Sequence, residues 1–177
     1  MVAQMQVNFA EDWYWATEQK LELNWQPDID ACDQKGLLLA SGPADRLETG
    51  TMYFCNAIGR ARGRIWIASP YLVPTTEVLS ALNLAALRGV DVRILMAGKP
   101  DHLLVDLAAY AYFDELVDAG IRILRYRDGF MHQKVLVVDD SCASVGTFNL
   151  DYRSCQLNFE ATALVFDPEF VRETARM

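Results

Sequence analysis

Short apolar runs of strand length, set apart by stretches with helical periodicity, constrain this chain more than any other feature of its sequence. The runs lie at 36–41 (GLLLAS), 64–68 (RIWIA), 90–97 (VDVRILMA), 121–126, 132–139, 142–146 and 159–166. They are too short for ordinary helices and too apolar for loops, and Gly-Pro or Ser-Pro pairs end the first two. The run at 36–41 predicts a buried strand. Between the runs, 48–62 predicts a helix closed by Gly59 and Gly63. From the N-cap residue Thr75, the residues Val78, Leu79, Leu82, Ala85 and Ala86 recur at helical spacing until Gly89. The longest helix is expected over 101–119, with Leu103, Leu104, Leu107, Ala108, Ala111 and Leu116 on one face. Asp140-Ser141 predicts a hairpin between 132–139 and 142–146, and a helix begins at Glu169. Strands alternating with helices imply an α/β domain with a mixed, mostly parallel β-sheet flanked by helices on both faces.

At 177 residues the chain has room for one well-buried core. Its net charge of −8 argues against a nucleic-acid partner, whose binding rests on clustered Lys and Arg. It argues equally against holding an anionic membrane through a broad basic surface, so any phosphate chemistry must come from a few local cations. Cys32, Cys55, Cys142 and Cys155 form no CxxC pair, which predicts free thiols in a reducing compartment rather than a zinc site. No apolar run approaches the ~20 residues that span a bilayer. The first residues, with Glu11 and Asp12, lack the apolar centre of a leader peptide, so the chain as given is expected to be soluble.

Residues 1–33 read differently from the rest. They hold three of the four tryptophans (Trp13, Trp15, Trp25) and no clear strand. Two readings stand: a helix and linker from the end of a preceding domain, or an N-terminal helix packed on the domain of residues 34–177.

The chemistry concentrates in M-H-Q-K-V-L-V-V-D-D-S-C-A-S-V-G-T-F-N. In extended backbone, alternate side chains share a face, so His132 and Lys134 are expected on one side about 6–7 Å apart. By the same parity Asp139 points away, toward a supporting ion pair. Thr147 and Asn149 are again two apart. Glu160 is a carboxylate in an otherwise apolar strand, costly to bury without a polar partner, and an imidazole needing an acceptor is a natural one. Taken singly, each feature also fits a solvated edge or an ordinary turn.

Together, His132, Lys134, Asp139, Gly146, Thr147 and Asn149 resemble the HxKxxxxD…G-[ST]-x-N motif of the phospholipase D superfamily, with Thr147 where Ser is more usual. The spacing to Glu160 is similar to that of the family's acidic residue behind the histidine. Further stretches resemble the second catalytic half of the cardiolipin synthase branch: S-P-Y-L-V-P (69–74), R-G-V-D-V-R-I-L (88–95), G-K-P-D-H (98–102) and N-L-D-Y-R-S…L-N-F-E (149–160). F-A-E-D-W (9–13) is similar to the close of that branch's first half.

The resemblance implies a single phospholipase D-like domain that carries one of the two His-x-Lys motifs such a site needs. It also implies a second half truncated in its last helix and separated from its membrane anchors. The implied chemistry is phosphatidyl transfer through a phosphohistidine, with phosphatidylglycerol-like substrates and no metal or organic cofactor. His132 is either the nucleophile or the partnering general acid, and Glu160 fixes its tautomer. Lys134, Thr147 and Asn149 hold the phosphate; a cation at ~4 Å contributes about 4 kcal/mol at an effective dielectric near 20. His102 either lies at the site mouth near the headgroup or simply starts a helix capped by Asp101. Tyr71 and Pro70 shape a strand end. The implied partner is the upstream half of the same protein, at the bacterial membrane with its catalytic part in the cytoplasm. The alternatives are a homodimeric phosphodiesterase or nuclease of the superfamily, and an inert fragment.

Overall fold

A computed structural model of the chain describes residues 1–26 and 34–176. Helix α1 (Val2–Thr17) is followed by β1 (Gly36–Ser41), α2 (Thr49–Arg60), β2 (Arg64–Ala68), β3 (Leu72–Val73) and α3 (Thr76–Leu87). Then come β4 (Asp91–Ala97), α4 (Leu103–Asp118), β5 (Arg122–Tyr126), β6 (Val135–Val138) and β7 (Cys142–Gly146). The chain continues through β8 (Leu150–Asp151), α5 (Tyr152–Gln156), β9 (Glu160–Val165) and α6 (Pro168–Thr174). Cys32 and part of the linker expected within residues 1–33 lie outside the described residues.

Seven strands form one mixed sheet in the order β1-β9-β7-β6-β2-β4-β5. The β2–β4 and β4–β5 ladders are parallel, and the other four are antiparallel. Because β7 and β1 each lie an even number of antiparallel steps from β2, five of the seven strands still run in one direction. The sheet is therefore mostly parallel by strand direction, while the late hairpin and its neighbours pair antiparallel. Strands β3 and β8 pair in parallel beside it as a separate ribbon.

Alternation along the strands divides the core. Ile65 and Ile67 of β2, Val92, Ile94 and Met96 of β4, and Leu136 and Val138 of β6 face one side. There they meet Phe54 and Ile58 of α2, Val78 and Leu82 of α3, and Ala109 and Leu116 of α4. The opposite face is covered more thinly, with Val137 and Ala143 against Val171 of α6. On that side the Arg64 and Arg93 guanidinium groups lie over the Trp66 ring at 4.6 and 4.4 Å. Asp91 gathers Trp66 Nε1 (3.2 Å), Arg93 Nε (3.1 Å) and Arg122 Nη2 (2.5 Å). Helices thus lie on both faces, unequally.

Local signals explain the helix ends. The Thr75 side chain accepts a bond from Val78 N (3.4 Å), and Gly89 takes a positive φ of 88° just past α3. Two expectations change. β1 is half-exposed rather than buried, because it is an edge strand with a single ladder, to β9. Helix α4 carries two apolar stripes, and the core takes the one through Ala109, Tyr112, Phe113 and Leu116. Leu103, Leu104 and Leu107, on the stripe expected to pack, stay 66%, 82% and 54% exposed. Helical spacing cannot choose between two apolar faces.

Candidate active site

Strand order brings the motif residues to one end of the sheet. The ends of β2 and β4 toward their C-termini, the start of β6, the end of β7 and the start of β9 all lie there. In sheets of this kind that end is where loops build ligand sites. His132 and Lys134 stand on the extended segment just before β6, not within the strand, since the ladder to β2 begins at Val135. The i, i+2 relation still holds them on one side, and they are closer than expected. Lys134 Nζ donates to the His132 carbonyl at 2.8 Å and lies 2.9 Å from Nδ1 and 3.2 Å from Nε2. Burial pushes the Lys134 pKa down, and the charges of Asp101, Glu160 and Asp151 only partly offset this. The His132 ring is half-exposed and stacked on Phe130, with centroids 5.7 Å apart and planes 15° apart.

Thr147 follows β7, and its hydroxyl donates to Glu160 Oε2 while accepting from Ala161 N at 2.9 Å. Its neighbour Gly146 is required by close packing: a Cβ there would meet Ala161 O at 2.5 Å. Glu160 is buried, 7% exposed, and Asn158 Nδ2 donates to its other oxygen at 3.1 Å. Both carboxylate oxygens are therefore engaged by Thr147 and Asn158; among the described residues no hydrogen bond joins Glu160 to His132. Asn149 Nδ2 donates weakly to Ser154 Oγ (3.4 Å), and its buried Oδ1 has no partner among the described residues.

Asp139 lies at the far end of β6 from His132. Instead of the expected ion pair, its carboxylate accepts from the amides of Arg62 (3.1 Å), Gly63 (2.7 Å) and Arg64 (2.9 Å), from a left-handed backbone with φ 52°. The Arg64 guanidinium goes to Asp140. Burial raises the Asp139 pKa, but the Arg64, Gly63 and Arg62 amides and the Arg64 charge outweigh it and hold the carboxyl below its usual range. A negative carboxylate there ties the α2–β2 turn to the β6–β7 turn.

A cleft of about 790 Å³ adjoins the pair through Asp101, which lies 3.9 Å from His132 Nε2, while His132 and Lys134 do not themselves line it. Its polar wall holds Tyr71, Asp101, His102, Asn149 and Asp151, and its apolar wall is the start of α4, including Leu103 and Leu104. His102, not Asp101, occupies the N-cap position of α4, and it makes no side-chain cap bond. Its ring centroid is 6.3 Å from that of Tyr71. Asp101 instead accepts a bond from the Tyr71 hydroxyl at 2.7 Å and faces His132 Nε2 at 3.9 Å. Sequence reasoning singled out neither Asp101 nor Tyr71 for the site. The segments G-K-P-D-H and S-P-Y held both, but only the adjacency of β4, β2 and β6 shows that they converge on His132.

A contacting His-Lys pair before an antiparallel strand, with Thr, Asn and Glu from the next strands beside it, defines a phospholipase D-like domain. Solved structures share this fold. The phospholipase D family member Nuc from Salmonella typhimurium has a TM-score of 0.65 at 22% identity, over 80% of this chain and 91% of its own. Phosphatidylserine synthase from Haemophilus influenzae Rd KW20 has a TM-score of 0.64 at 17% identity, over 83% of this chain and 38% of its own. The family described as "Cardiolipin synthase, PLD-like domain" matches residues 54–177, and the chain belongs to that family. Cardiolipin synthase A of Pseudomonas putida (strain GB-1) is 48% identical across all of the chain, which spans 37% of that relative's length.

Proposed function

We propose that this chain supplies one half-site of a cardiolipin synthase-type phosphatidyltransferase. The observation that carries the reading is the His132–Lys134 contact, joined through Asp101 to a cleft lined by both polar and apolar residues. A phosphodiester with fatty chains matches both walls: headgroup and phosphate against His132, Lys134 and Asn149, chains against Leu103 and Leu104. Substitution at phosphorus then runs in two steps. An imidazole attacks and expels the first alcohol, which takes a proton from the second imidazole; the acceptor hydroxyl then gives up a proton as it displaces the histidine. His132 is one of the two imidazoles, and Lys134 balances charge on the non-bridging oxygens. The Thr147 hydroxyl acts through Glu160 in the resting arrangement. Asp139 acts by holding the turn.

The second imidazole and its lysine come from another half-site. We assign that half to the upstream part of the parent polypeptide, and residues 1–33 to the end of the preceding domain. In keeping with this, α1 buries none of its residues. We place the parent at the bacterial membrane with this part in the cytoplasm. Among the described residues no helix is long and apolar enough to cross a membrane.

The test is an assay on phosphatidylglycerol micelles. The chain joined to the upstream half of the Pseudomonas putida relative is expected to form cardiolipin and release glycerol, and the chain alone is expected to do neither. Hydrolysis of a soluble phosphodiester by the chain alone, as a dimer in light scattering, would replace this reading with the symmetric homodimer.

A further inference from the structure

We infer that Asp151 is a specificity-determining residue whose carboxylate, with Asn149 beside it, takes a neutral headgroup bearing adjacent hydroxyls. The inference rests on reading the cleft as the substrate site of the transferase. The short β3–β8 ribbon builds this part of the cleft, pairing Leu72 with Leu150 and Val73 with Asp151. That pairing brings Tyr71, Asn149 and Asp151 into one lining from segments far apart in sequence. Ser69 Oγ fastens the ribbon by accepting from Leu150 N at 3.0 Å. Helix α4 packs on β3 and adds Leu103 and Leu104 to the same lining.

This part of the lining is short of donors. Asp151 is 7% exposed and caps α5, with Oδ1 accepting from Ser154 N at 2.7 Å. Among the described residues only Ser154 bonds that carboxylate. Burial pushes its pKa up and the Glu160 charge adds to this, while the Ser154 bonds and the Arg153 charge offset it only in part. Asparagine caps a helix as well as aspartate does, so capping alone does not call for a charge in so buried a place. Asn149 turns Nδ2 to Ser154 Oγ at 3.4 Å, and its buried Oδ1 has no partner among the described residues. Arg153 already stands near Asp151 and His102 near Asp101, so the lining lacks neutral donors rather than positive charge. Adjacent hydroxyls supply such donors. A second anion would face the carboxylates of Asp101 and Asp151, and a plain alkyl ester would leave the acceptors unpaired.

Amide spectra of the whole chain, titrated with soluble phosphodiesters, test this without turnover. Glycerophosphoglycerol is expected to shift the amides of Asn149, Asp151 and Tyr152. Diethyl phosphate, which carries no hydroxyl, should bind at least about tenfold more weakly. Asp151→Asn keeps a capping side chain and should weaken glycerophosphoglycerol about tenfold, the worth of one hydrogen bond to a charged group. Should that variant lose its folded spectrum, the two diesters compared on the unaltered chain decide the case. Four results overturn the assignment: equal binding of both diesters, binding of neither, an Asp151→Asn variant that binds as the unaltered chain does, or a preference for glycerophosphoethanolamine, whose headgroup is an ammonium. Cardiolipin formation by the joined two-half protein is a separate measurement, so loss of the transferase reading and loss of this one are separate results.

Discussion

Two demands meet at Lys134. Burial weakens its hold on a proton, while Asp101, Asp151 and Glu160 keep it a cation; a poorly hydrated ammonium is a stronger phosphate ligand than a solvated one. Lys134→Met keeps the length and removes the charge, and should lower kcat of the joined two-half protein by about 10²–10³-fold. Lys134→Arg should not restore it, because a planar guanidinium does not replace an ammonium packed 2.8 Å from the His132 carbonyl. Thr147 carries a different burden. Thr147→Val strips buried Glu160 of a donor and should cost about 1–3 kcal/mol in urea unfolding, while Thr147→Ser should cost under about 0.5 kcal/mol. Spacing singled out His132, Lys134, Thr147, Asn149 and Glu160, and the fold places all five toward one end of the sheet. Their bonds were not legible. Parity placed Asp139 away from the cleft but could not show that its partners are amides, because the α2–β2 turn is distant in sequence.

At the scale of elements, the same Asp139 nest joins the α2–β2 turn to the β6–β7 turn. Asp139→Ala exposes three amides at once, and each charge-assisted bond is worth about 1.5–3 kcal/mol before compensation by water. Chemical denaturation should show a loss of about 2–4 kcal/mol. The strand runs and the Thr75 and Gly89 ends of α3 were readable because their signals are local. Helix α4 was not fully readable, since apolar residues on both sides satisfy the same spacing. Burial is settled by β3 and β5, which take the stripe of Ala109 and Leu116. The short pair β3–β8 and helix α5 escaped notice for a related reason: two-residue strands and a five-residue helix have no period to detect.

Across the whole molecule, charge is arranged asymmetrically over the two faces of the sheet. Arg64, Arg93, Trp66, Asp91 and Arg122 form a mixed network on the thinly covered face. Bonding from Arg93 foremost, with Arg122 and Trp66, lowers the Asp91 pKa to about 2 against the opposition of burial. A carboxyl depressed in the folded state stabilises fully above its unfolded pKa and loses that contribution as pH falls through its folded one. Stability should therefore drop between about pH 4 and about pH 2, by about 1 kcal/mol once solvent screening is allowed for. Asp91→Asn should flatten that part of the unfolding profile. The meeting of Tyr71, Asp101 and His132 belongs to this scale too. They lie 30 and 31 positions apart in sequence, and the order β6-β2-β4 closes the distance.

The most direct measurement is the rate of cardiolipin formation by the joined two-half protein carrying His132→Ala. A half-site built on this imidazole predicts a fall of at least about 10⁴-fold in kcat with the fold intact. Transfer at a rate within about tenfold of the unaltered protein would contradict it.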